Sequence, residues 1–410
     1  MAETRLRPAR PVVFDFAVEM RSRCPNCGSK GMLGFYAIDD IPVHSCLLMS
    51  TRQEALSYPR GDLNLGFCST CGFVSNLTFD PGVHEYSGNY EETQGFSRCF
   101  NSFAESLAKR LIDQYDIRHK DVLEIGCGKG EFLMLLSRLA GNRCIGIDPA
   151  YVPERMPVEA GEQVTFIRDF YSDKYSHLTA DFICCRHTLE HIAPTRDFLV
   201  TLRSAIGDRR DTMVFFEVPD VLRVLREGAF WDIYYEHCSY FSPGSLARLF
   251  RGAGFDVVEL TTDFEDQYLL LMARPADGLT MPVFPIEDDL QEIGKAVIDF
   301  EDVCATRIDN WRACLRDVAA KGDRAVVWGS GSKGVAFLST LGFANVIEYV
   351  VDVNPHRHGK FMPGTGQQIV SPLFLTDYQP QHVIVMNPIY CPEIRRDLDR
   401  LGVKAGLLPV

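Results

Sequence analysis

The sequence predicts an α/β protein built from a metal-binding N-terminal lobe, a central Rossmann-like domain and a smaller C-terminal Rossmann-like domain. Three observations predict this. Two Cys-x-x-Cys pairs lie within residues 1–85, strand and helix patterns alternate through residues 86–275, and a second glycine-rich turn follows a strand in residues 276–410. At 410 residues the chain is too long for one ordinary core, so several domains are expected.

Composition and charge narrow the class of partner. Hydrophobic residues make up 46% of the chain and charged residues 24%, as in ordinary globular proteins. The formal charge of -13 argues against nucleic acid, which requires a basic surface. The longest apolar runs, such as Met213–Phe216, are too short to span a membrane, and no apolar signal segment follows the start. We therefore expect a cytoplasmic protein with reduced thiols and a small-molecule substrate.

The N-terminal lobe contains two knuckles, separated by 40 residues, in which Gly follows each Cys-x-x-Cys pair. Their cysteines are Cys24, Cys27, Cys68 and Cys71. Four thiolates complete the closed tetrahedral shell that structural zinc accepts, and Gly suits the tight turn. The motif predicts a zinc ion that folds this segment, which otherwise reads as irregular, and His44 and Cys46 are lesser candidate ligands. The alternative is free thiols or a redox pair.

The central domain shows the alternation that predicts a parallel sheet covered by helices. The expected elements are a helix at Phe100–Tyr115, a strand at Asp121–Ile125, a helix at Glu131–Leu139, and strands at Arg143–Ile147, Asp181–Cys185 and Thr212–Glu217. The first strand runs into Glu124-Ile-Gly126-Cys127-Gly128-Lys-Gly130, whose G-x-G-x-G spacing differs from the dinucleotide fingerprint. Such a turn lets a nucleotide-like cofactor approach the backbone and a helix N-terminus.

Acidic and aromatic residues follow the next strands. Asp148 ends the second strand, where a carboxylate can accept from both hydroxyls of a ribose. Asp169 and Phe170 add an acid and a ring suited to adenine. The candidate cofactor-binding residues are Glu124, Gly126, Cys127, Gly128, Gly130, Asp148, Pro149, Asp169 and Phe170.

Two clusters supply candidate catalytic groups. His187 follows a strand of the sheet, which places it over the cofactor, whereas His191 is expected to be structural. Tyr234, Glu236 and His237 form an unusually dense group of proton-transfer side chains. The alternative is an aromatic core segment that carries a solvated Glu-His turn.

The C-terminal unit follows a linker at Pro275–Pro282 and a long helix near Ile286–Ala320. Strands are expected at Ala325–Trp328, Ile347–Val351 and His382–Met386, with a helix at Gly334–Leu341. Gly329 and Gly331 resemble a dinucleotide fingerprint whose ribose acid would be Asp352. The helix N-terminus can instead hold a substrate pyrophosphate, with charge added by Lys333 or Lys360. Structural duplication and NAD binding are the alternatives.

Residues 95–275 resemble class I S-adenosylmethionine-dependent methyltransferases through the Val-Leu-Glu-Ile-Gly-Cys-Gly-x-Gly turn and the acid that follows it. The whole chain resembles the zinc-binding sugar C-methyltransferases of deoxysugar antibiotic biosynthesis. The matching motifs are the four cysteines, Arg186-His-Thr-Leu-Glu-His191, Tyr234-Tyr-Glu-His-x-Ser-Tyr-Phe241 and Val327-Trp-Gly-Ser-Gly-Ser-Lys-Gly334.

This resemblance implies a zinc-binding lobe at 1–85, a central class I methyltransferase domain at 86–275 and a nucleotide-sugar-binding α/β domain at 276–410. It also implies methylation of the carbon beside a ketone of a thymidine-diphosphate-linked sugar, with Tyr86 and Tyr90 over the acceptor pocket. Alkylation of that carbon requires an enolate, hence a base and an oxyanion donor.

For these roles we assign His237, oriented by Glu236 or helped by Tyr234, as the base and His187 as the oxyanion donor; the roles of the two histidines can be exchanged. The alternative functions are an O- or N-methyltransferase of a non-sugar metabolite and a nicotinamide-dependent oxidoreductase.

Overall fold

The computed structural model describes residues 19–83, 86–156, 158–159, 162–278, 280–343 and 346–410. The first 18 residues of the expected lobe and its residues 84 and 85 therefore lie outside the described residues, as does residue 279 of the expected linker. Among the described helices, none is both long and apolar enough to cross a membrane.

The N-terminal lobe is an antiparallel sheet, whereas the sequence indicated an irregular segment. Its strands, in spatial order, are β1 (Glu19–Arg23), β2 (Lys30–Pro42), β3 (Arg60–Phe67), β4 (Val74–Asn76) and β10 (Ser239–Tyr240), and helix α1 (Arg52–Leu56) precedes β3. Bulges between Gly34 and Tyr36 and between Ile38 and Ile41 interrupt the pairing of β2 with β3. They also break the alternation of apolar residues by which a strand is predicted.

The central sheet has seven strands in the order β11-β12-β9-β8-β5-β6-β7. These are β5 (Asp121–Ile125), β6 (Arg143–Ile147), β7 (Val164–Ile167), β8 (Phe182–Arg186), β9 (Met213–Pro219), β11 (Phe255–Asp263) and β12 (Tyr268–Pro275). Strands β5 to β9 are parallel, and β12 and β11 add an antiparallel edge. The accompanying helices are α2 (Arg98–Tyr115), α3 (Glu131–Ala140), α4 (Thr195–Ile206), α5 (Val221–Glu227) and α6 (Pro243–Gly252). The expected strands and helices of this region are confirmed.

The C-terminal sheet is a second, fully parallel sheet of five strands in the order β15-β14-β13-β16-β17. Its strands are β13 (Ala325–Trp328), β14 (Ile347–Val351), β15 (Gln368–Val370), β16 (His382–Val385) and β17 (Gly406–Pro409). The helices are α7 (Leu290–Lys321), α8 (Ser332–Leu341), α9 (Leu375–Tyr378) and α10 (Cys391–Arg400). Helix α7 begins four residues later than the sequence indicated, because a short 3-10 turn occupies Pro285–Glu287.

One apolar core joins the three parts. Phe35 and Tyr36 of β2 pack edge-to-face against Phe300 of α7, and the same core includes Phe230 and Phe337. Such aromatic packing fixes the relative position of the elements that carry it. The N-terminal lobe is thereby held against the C-terminal domain as well as against the central one.

Each glycine-rich turn follows the strand at which the winding of its sheet reverses direction. Strand β5 lies between β6 and β8, and β13 lies between β14 and β16, where the direction of winding reverses in each sheet. Ligands of open α/β sheets bind beyond the carboxyl ends of strands at such reversal points. The turns that follow β5 and β13 line the same cavity.

Candidate active site

A single cavity of about 1240 Å³ lies where the three parts meet. Tyr86 and Tyr90 line it from the segment that leaves the N-terminal lobe, the turn after β5 lines it from the central domain, and the turn after β13 lines it from the C-terminal domain. Pockets for one small ligand typically measure about 300–1,000 Å³. This cavity is large enough for a cofactor and an acceptor side by side.

The turn after β5 requires its first glycine. Gly126 has φ of 72°, in the left-handed region, and a Cβ atom there would lie 1.9 Å from Thr188 Oγ1. Gly130 ends the turn as the N-terminal cap of α3, beneath Phe166, and among the described residues it does not line the cavity. Glu124, Gly126, Cys127 and Gly128 do line it, as predicted.

Two acids lie at this turn, the buried Glu124 and the half-buried Asp148. Asp148 Oδ2 accepts from the Gly128 amide at 2.8 Å, Asp148 Oδ1 accepts from the Ala150 amide at 2.7 Å, and burial raises the pKa of Asp148. Burial also raises the pKa of Glu124 to about 8, and its Oε2 atom is buried without a hydrogen-bond partner. A cationic or hydroxyl-bearing ligand in the cavity would satisfy both acids.

The remaining predicted cofactor residues lie at the mouth of the cavity. Pro149, Asp169 and Phe170 line it, and the Phe170 ring is 60% exposed, which leaves its face free for a ligand. The Asp169 carboxylate accepts from Lys174 at 2.7 Å and from the Tyr175 hydroxyl at 2.6 Å.

Lys129, inside the turn, has a structural role that the sequence did not indicate. It is 1% exposed, and its ammonium donates to the carbonyls of Tyr90 at 2.6 Å and Ala150 at 2.8 Å. It also contacts Glu92 at 3.3 Å. Lys129 therefore links the segment around Tyr90, which leaves the N-terminal lobe, to the glycine-rich turn after β5.

His187 is held between two carboxylates. Its Nε2 lies 2.7 Å from Glu217 Oε1, and its Nδ1 lies 3.6 Å from Glu190 Oε1. Burial opposes the charge on the imidazole, but Glu217 and Glu190 raise the pKa of His187 to about 9. Arg186, also paired with Glu217 at 2.7 Å, helps to lower the pKa of Glu217 to about 2 against the effect of burial. At neutral pH His187 is thus a cation that faces the cavity.

The pKa of His237 is shifted in the opposite direction from that of His187. It lines the cavity, and burial together with the neighbouring His191 lowers its pKa to about 3. Its ring centroid lies 4.7 Å from that of His191 and 4.2 Å from that of Tyr234. His237 is therefore neutral at physiological pH, so its ring carries a free nitrogen lone pair, but the lowered pKa makes it a weaker base than an ordinary imidazole.

His191 belongs to the same wall of the cavity. Its Nδ1 lies 2.9 Å from the Tyr86 hydroxyl and 3.1 Å from the Glu236 carbonyl oxygen. Tyr86, predicted to cover the acceptor, thus contacts a histidine beside the predicted base His237. The ring of Tyr90 packs against that of Tyr86, with 5.1 Å between their centroids.

The interpretation that Glu236 orients His237 is wrong in its contacts. Glu236 is not among the described residues that line the cavity. Its Oε2 lies 2.5 Å from His44 Nδ1, and its Oε1 accepts from the Ser332 hydroxyl at 3.2 Å. Although burial opposes ionisation, His44 holds the pKa of Glu236 well below its usual value. Tyr234, by contrast, does line the cavity.

The N-terminal sheet pairs with the strand that follows His237. Strand β10 begins two residues after His237, and it pairs with β4 through Ser239 opposite Ser75 and Tyr240 opposite Val74. Strand β4 in turn follows the second cysteine knuckle directly. The segment that carries His237 is thus bound to the lobe that carries the cysteines.

The four predicted cysteines converge. The distances between Cys24 Sγ and Cys71 Sγ and between Cys27 Sγ and Cys68 Sγ are both 3.7 Å, and all four sulfur atoms lie within 4.8 Å of one another. A tetrahedral zinc with bonds of about 2.3 Å would separate its sulfur ligands by about 3.8 Å. The glycines after the pairs, Gly28 and Gly72, have φ of 78° and 76° in the two turns. The set can hold a metal ion of this geometry.

The two lesser candidates for zinc ligation, His44 and Cys46, contact residues outside the cysteine cluster. His44 contacts Glu236, and Cys46 Sγ lies 3.3 Å from Ser332 Oγ at the edge of the cavity. Their position in the sequence, between the two knuckles, suggested zinc ligation, but β2 carries the chain away from the first knuckle over 13 residues.

The C-terminal turn presents Gly329, Gly331 and Lys333 to the cavity, together with Asp352. A Cβ at Gly334 would lie 2.4 Å from the Gly329 carbonyl, so the turn packs closely on α8. Asp352 accepts from the amides of Ser330 at 2.9 Å and Asn354 at 2.8 Å, an arrangement similar to that of Asp148.

Of the two lysines predicted to bind the substrate, only Lys333 lines the cavity among the described residues. Lys333 Nζ lies 2.9 Å from Asp232 Oδ1 and donates to Gln267 at 3.2 Å, so it joins the C-terminal domain to the central one. Lys360 is not among the described residues that line the cavity; it donates to Ser50 Oγ at 3.1 Å. Its assignment to the substrate site is wrong.

Sequence reasoning missed the partners of the predicted catalytic groups. Glu217 lies near the carboxyl end of β9, opposite Arg186 of β8, and a carboxylate in an otherwise apolar strand was a usable signal. Glu190 was visible as the residue three positions after His187, yet its proximity to that imidazole was not predicted. No local pattern indicated that His44 would reach Glu236.

Comparison with known proteins matches two separate regions. Residues 98–260 match a family described as Methyltransferase domain, and residues 290–408 match one described as C-methyltransferase C-terminal domain. The C-methyltransferase NovU of Streptomyces niveus is 25% identical over 395 residues, which cover 90% of each chain.

Solved structures similar to part of the chain are also methyltransferases. The 1,6-didemethyltoxoflavin-N1-methyltransferase of Burkholderia thailandensis is 22% identical, with a TM-score of 0.34, over 42% of this chain and 79% of its own. Magnesium protoporphyrin IX methyltransferase of Synechocystis PCC 6803 is 16% identical, with a TM-score of 0.34, over 43% of this chain and 84% of its own.

Proposed function

We propose that this chain is a class I S-adenosylmethionine-dependent methyltransferase of the sugar C-methyltransferase type, and that it methylates a carbon beside a ketone through an enolate. The observation that carries the proposal is that two histidines in different electrostatic surroundings both line the cavity. Carboxylates hold His187 as a cation, whereas burial keeps His237 neutral. Enolate formation needs both an electrostatic stabiliser and a base.

In the proposed reaction His237 takes the proton from the carbon beside the ketone. The charge that develops on the ketone oxygen is stabilised by the His187 imidazolium, whose own charge Glu217 and Glu190 maintain. A nearby negative charge raises the pKa of an imidazole, so the enolate itself strengthens His237 as a proton acceptor. The nucleophilic carbon would then form the new carbon–carbon bond to the donor methyl group, while the bond between that methyl group and the sulfonium sulfur breaks to leave S-adenosylhomocysteine.

S-Adenosylmethionine supplies the electrophilic methyl group when bound. We assign its ribose to Asp148, its adenine to Phe170, and the cationic methionine end to the side of the turn that presents Glu124. The buried, unpartnered Oε2 of Glu124 supports this orientation, because a cation would compensate that carboxylate.

For the acceptor we propose a keto-sugar linked to a nucleotide, with thymidine diphosphate as the first choice. The cavity exceeds the usual size for one small ligand, and its C-terminal wall presents a glycine-rich turn at the N-terminus of α8. Backbone amides at such a position favour phosphate. Lys333, although paired with Asp232, adds positive charge to the same wall.

We further propose that Cys24, Cys27, Cys68 and Cys71 hold a structural zinc ion. Their sulfur separations support zinc, and four protein ligands leave no open position for chemistry. The ion would fold the lobe whose sheet contains β10.

The test is hydrogen exchange without methyl donor. The protein would be incubated in D2O with S-adenosylhomocysteine and a thymidine-diphosphate-linked 4-keto-6-deoxyhexose, and deuterium at the carbon beside the ketone followed by NMR. We expect enzyme-dependent exchange that His237→Ala abolishes and that His177→Ala, at an exposed histidine, leaves unchanged. Methyl transfer to oxygen or nitrogen of the acceptor, or methylation of carbon without exchange, would contradict the proposal.

A further inference from the structure

His44 is a fully buried histidine of the N-terminal lobe that lies against the catalytic segment of the central domain. Its Nδ1 atom lies 2.5 Å from Glu236 Oε2, and both side chains have no exposed surface. The neighbouring Ser45 amide donates to the same oxygen at 3.4 Å. A carboxylate buried this deeply requires such partners, because an uncompensated charge in the interior is costly.

The contact also involves the C-terminal domain. The second oxygen of Glu236 accepts from Ser332 at the start of α8, and Cys46 Sγ lies 3.3 Å from the same hydroxyl. Three parts of the chain therefore meet at one carboxylate, immediately before His237 in the sequence.

His44 also supports the tyrosine wall of the cavity. Its ring packs on Tyr86 and Tyr90, with centroid distances of 5.4 Å and 5.1 Å. The Tyr86 hydroxyl contacts His191 Nδ1 at 2.9 Å, and His191 faces His237. His44 is thus connected to His237 by two series of contacts. One runs through Glu236 and the backbone, and the other runs through Tyr86 and His191.

We propose that His44 is a positioning residue for methyl transfer, which fixes the orientation of His237 and His191 from outside the cavity. His44 is not among the described residues that line the cavity, so it does not touch the ligands. It acts by holding the Glu236 carboxylate and the Tyr86 ring. The N-terminal lobe then contributes to the geometry of the active site in addition to its own folding. This inference rests on the proposed role of His237.

Three substitutions of His44 distinguish the effect of losing its hydrogen-bonding nitrogen from the effect of losing the volume of its ring. An Asn amide nitrogen occupies about the place of His Nδ1, so His44→Asn keeps the contact with Glu236. His44→Gln places its amide nitrogen near the position of Nε2 instead, and His44→Ala removes both donor and ring. Val43→Ala, at the adjacent buried residue, is the control for lost core volume.

The primary readout needs no acceptor. Histidine would be labelled with 15N, and the ring signals of His191 and His237, assigned by single substitutions, compared in the S-adenosylhomocysteine complex. We expect both sets of signals to shift in His44→Ala and His44→Gln, and to stay near the wild-type positions in His44→Asn and Val43→Ala. S-Adenosylhomocysteine affinity should remain within about twofold in all four variants.

The second readout is the exchange rate of the keto-sugar probe. We expect at least a tenfold loss in kcat for His44→Gln, with KM changed by less than threefold and substantial rescue in His44→Asn. Wild-type positions of the His191 and His237 signals in both His44→Gln and His44→Ala would overturn the inference. If the wild-type protein itself shows no exchange, the proposed function fails, while the spectra still decide the role of His44.

Discussion

His187 Nε2 and Glu217 Oε1 are 2.7 Å apart, and the side chain of Glu217 is fully buried. Two strands bring them together, because β8 ends next to β9 in the parallel sheet. Arg186, from the end of β8, shares the same carboxylate. The pair explains why a histidine in a cavity can remain charged at neutral pH despite its burial.

The pH dependence of His187 follows from this pair. Its pKa in the folded protein is raised to about 9 from the ordinary 6.5. The stabilisation is therefore fully present below pH 6.5 and is lost as the pH rises through about 9. A 13C or 15N NMR titration should show His187 titrating near 9 in the wild type and at lower pH in Glu217→Gln. Titration near 6.5 in the wild type would contradict the assigned charge.

Glu217→Gln also leaves Arg186 without its counter-charge. Breaking a buried ion pair typically costs about 3–5 kcal/mol. We expect a loss of this order in the free energy of unfolding, measured by denaturant titration at pH 7. Glu227→Gln, at an acid that is 46% exposed and pairs with Arg223, is the matched control and should cost well under half as much.

His237→Ala should remove turnover while leaving donor binding intact. A general base contributes about 10²- to 10⁴-fold to the rate, so we expect a loss within that range in kcat for methylation of the keto-sugar probe. The affinity for S-adenosylhomocysteine, measured by calorimetry, should change by less than threefold, because the proposed mechanism places His237 beside the acceptor and not beside the donor. An unchanged rate would remove His237 from the mechanism.

Cys68→Ser should abolish metal binding by the N-terminal lobe. We expect one zinc per wild-type chain by mass spectrometry, none in Cys68→Ser, and a melting temperature lowered by several degrees, because structural zinc contributes directly to folding. Since β4 pairs with β10, removal of zinc should also reduce kcat. Cys314→Ser, at a half-buried cysteine of α7, should keep its zinc. Equal zinc content in both variants would refute the ligand assignment.

Asp148→Asn should weaken the binding of S-adenosylhomocysteine. Its carboxylate accepts from the amides of Gly128 and Ala150, and an amide nitrogen in place of one oxygen would face an N–H group. We expect Kd to rise at least tenfold by calorimetry, from both the lost ribose contact and the disturbed turn. Asp208→Asn, at an exposed acid, should bind normally. Wild-type affinity in Asp148→Asn would place the ribose elsewhere.

Local patterns were sufficient for the elements and for sites built from neighbouring residues. The turn after β5 could be predicted because Gly126 and Gly128 follow an apolar strand directly, and the cysteine knuckles because each needs only four consecutive residues. In both cases the backbone geometry and the chemistry are encoded within a single short segment. The N-terminal sheet was missed because its bulges hide the strand pattern.

Contacts between distant segments could not be predicted in this way. Glu236 next to His237 suggested a dyad, but neighbours in the sequence need not contact each other in the turn before β10, and the Glu236 carboxylate lies against His44 instead. Lys360 was assigned to the substrate from its charge, yet it lies against Ser50 outside the cavity. Charge alone does not indicate the direction in which a side chain points.

The sequence by itself determined the cofactor turn, the four cysteines and the α/β succession of both sheets, since hydrogen bonding and periodicity within a segment dictate them. Only the tertiary structure decided that Glu217 keeps His187 charged, that burial beside His191 keeps His237 neutral, and that His44 holds Glu236. The reason is physical: the charge of an ionisable group depends on solvent exclusion and on the charges that surround it, and folding alone brings those together.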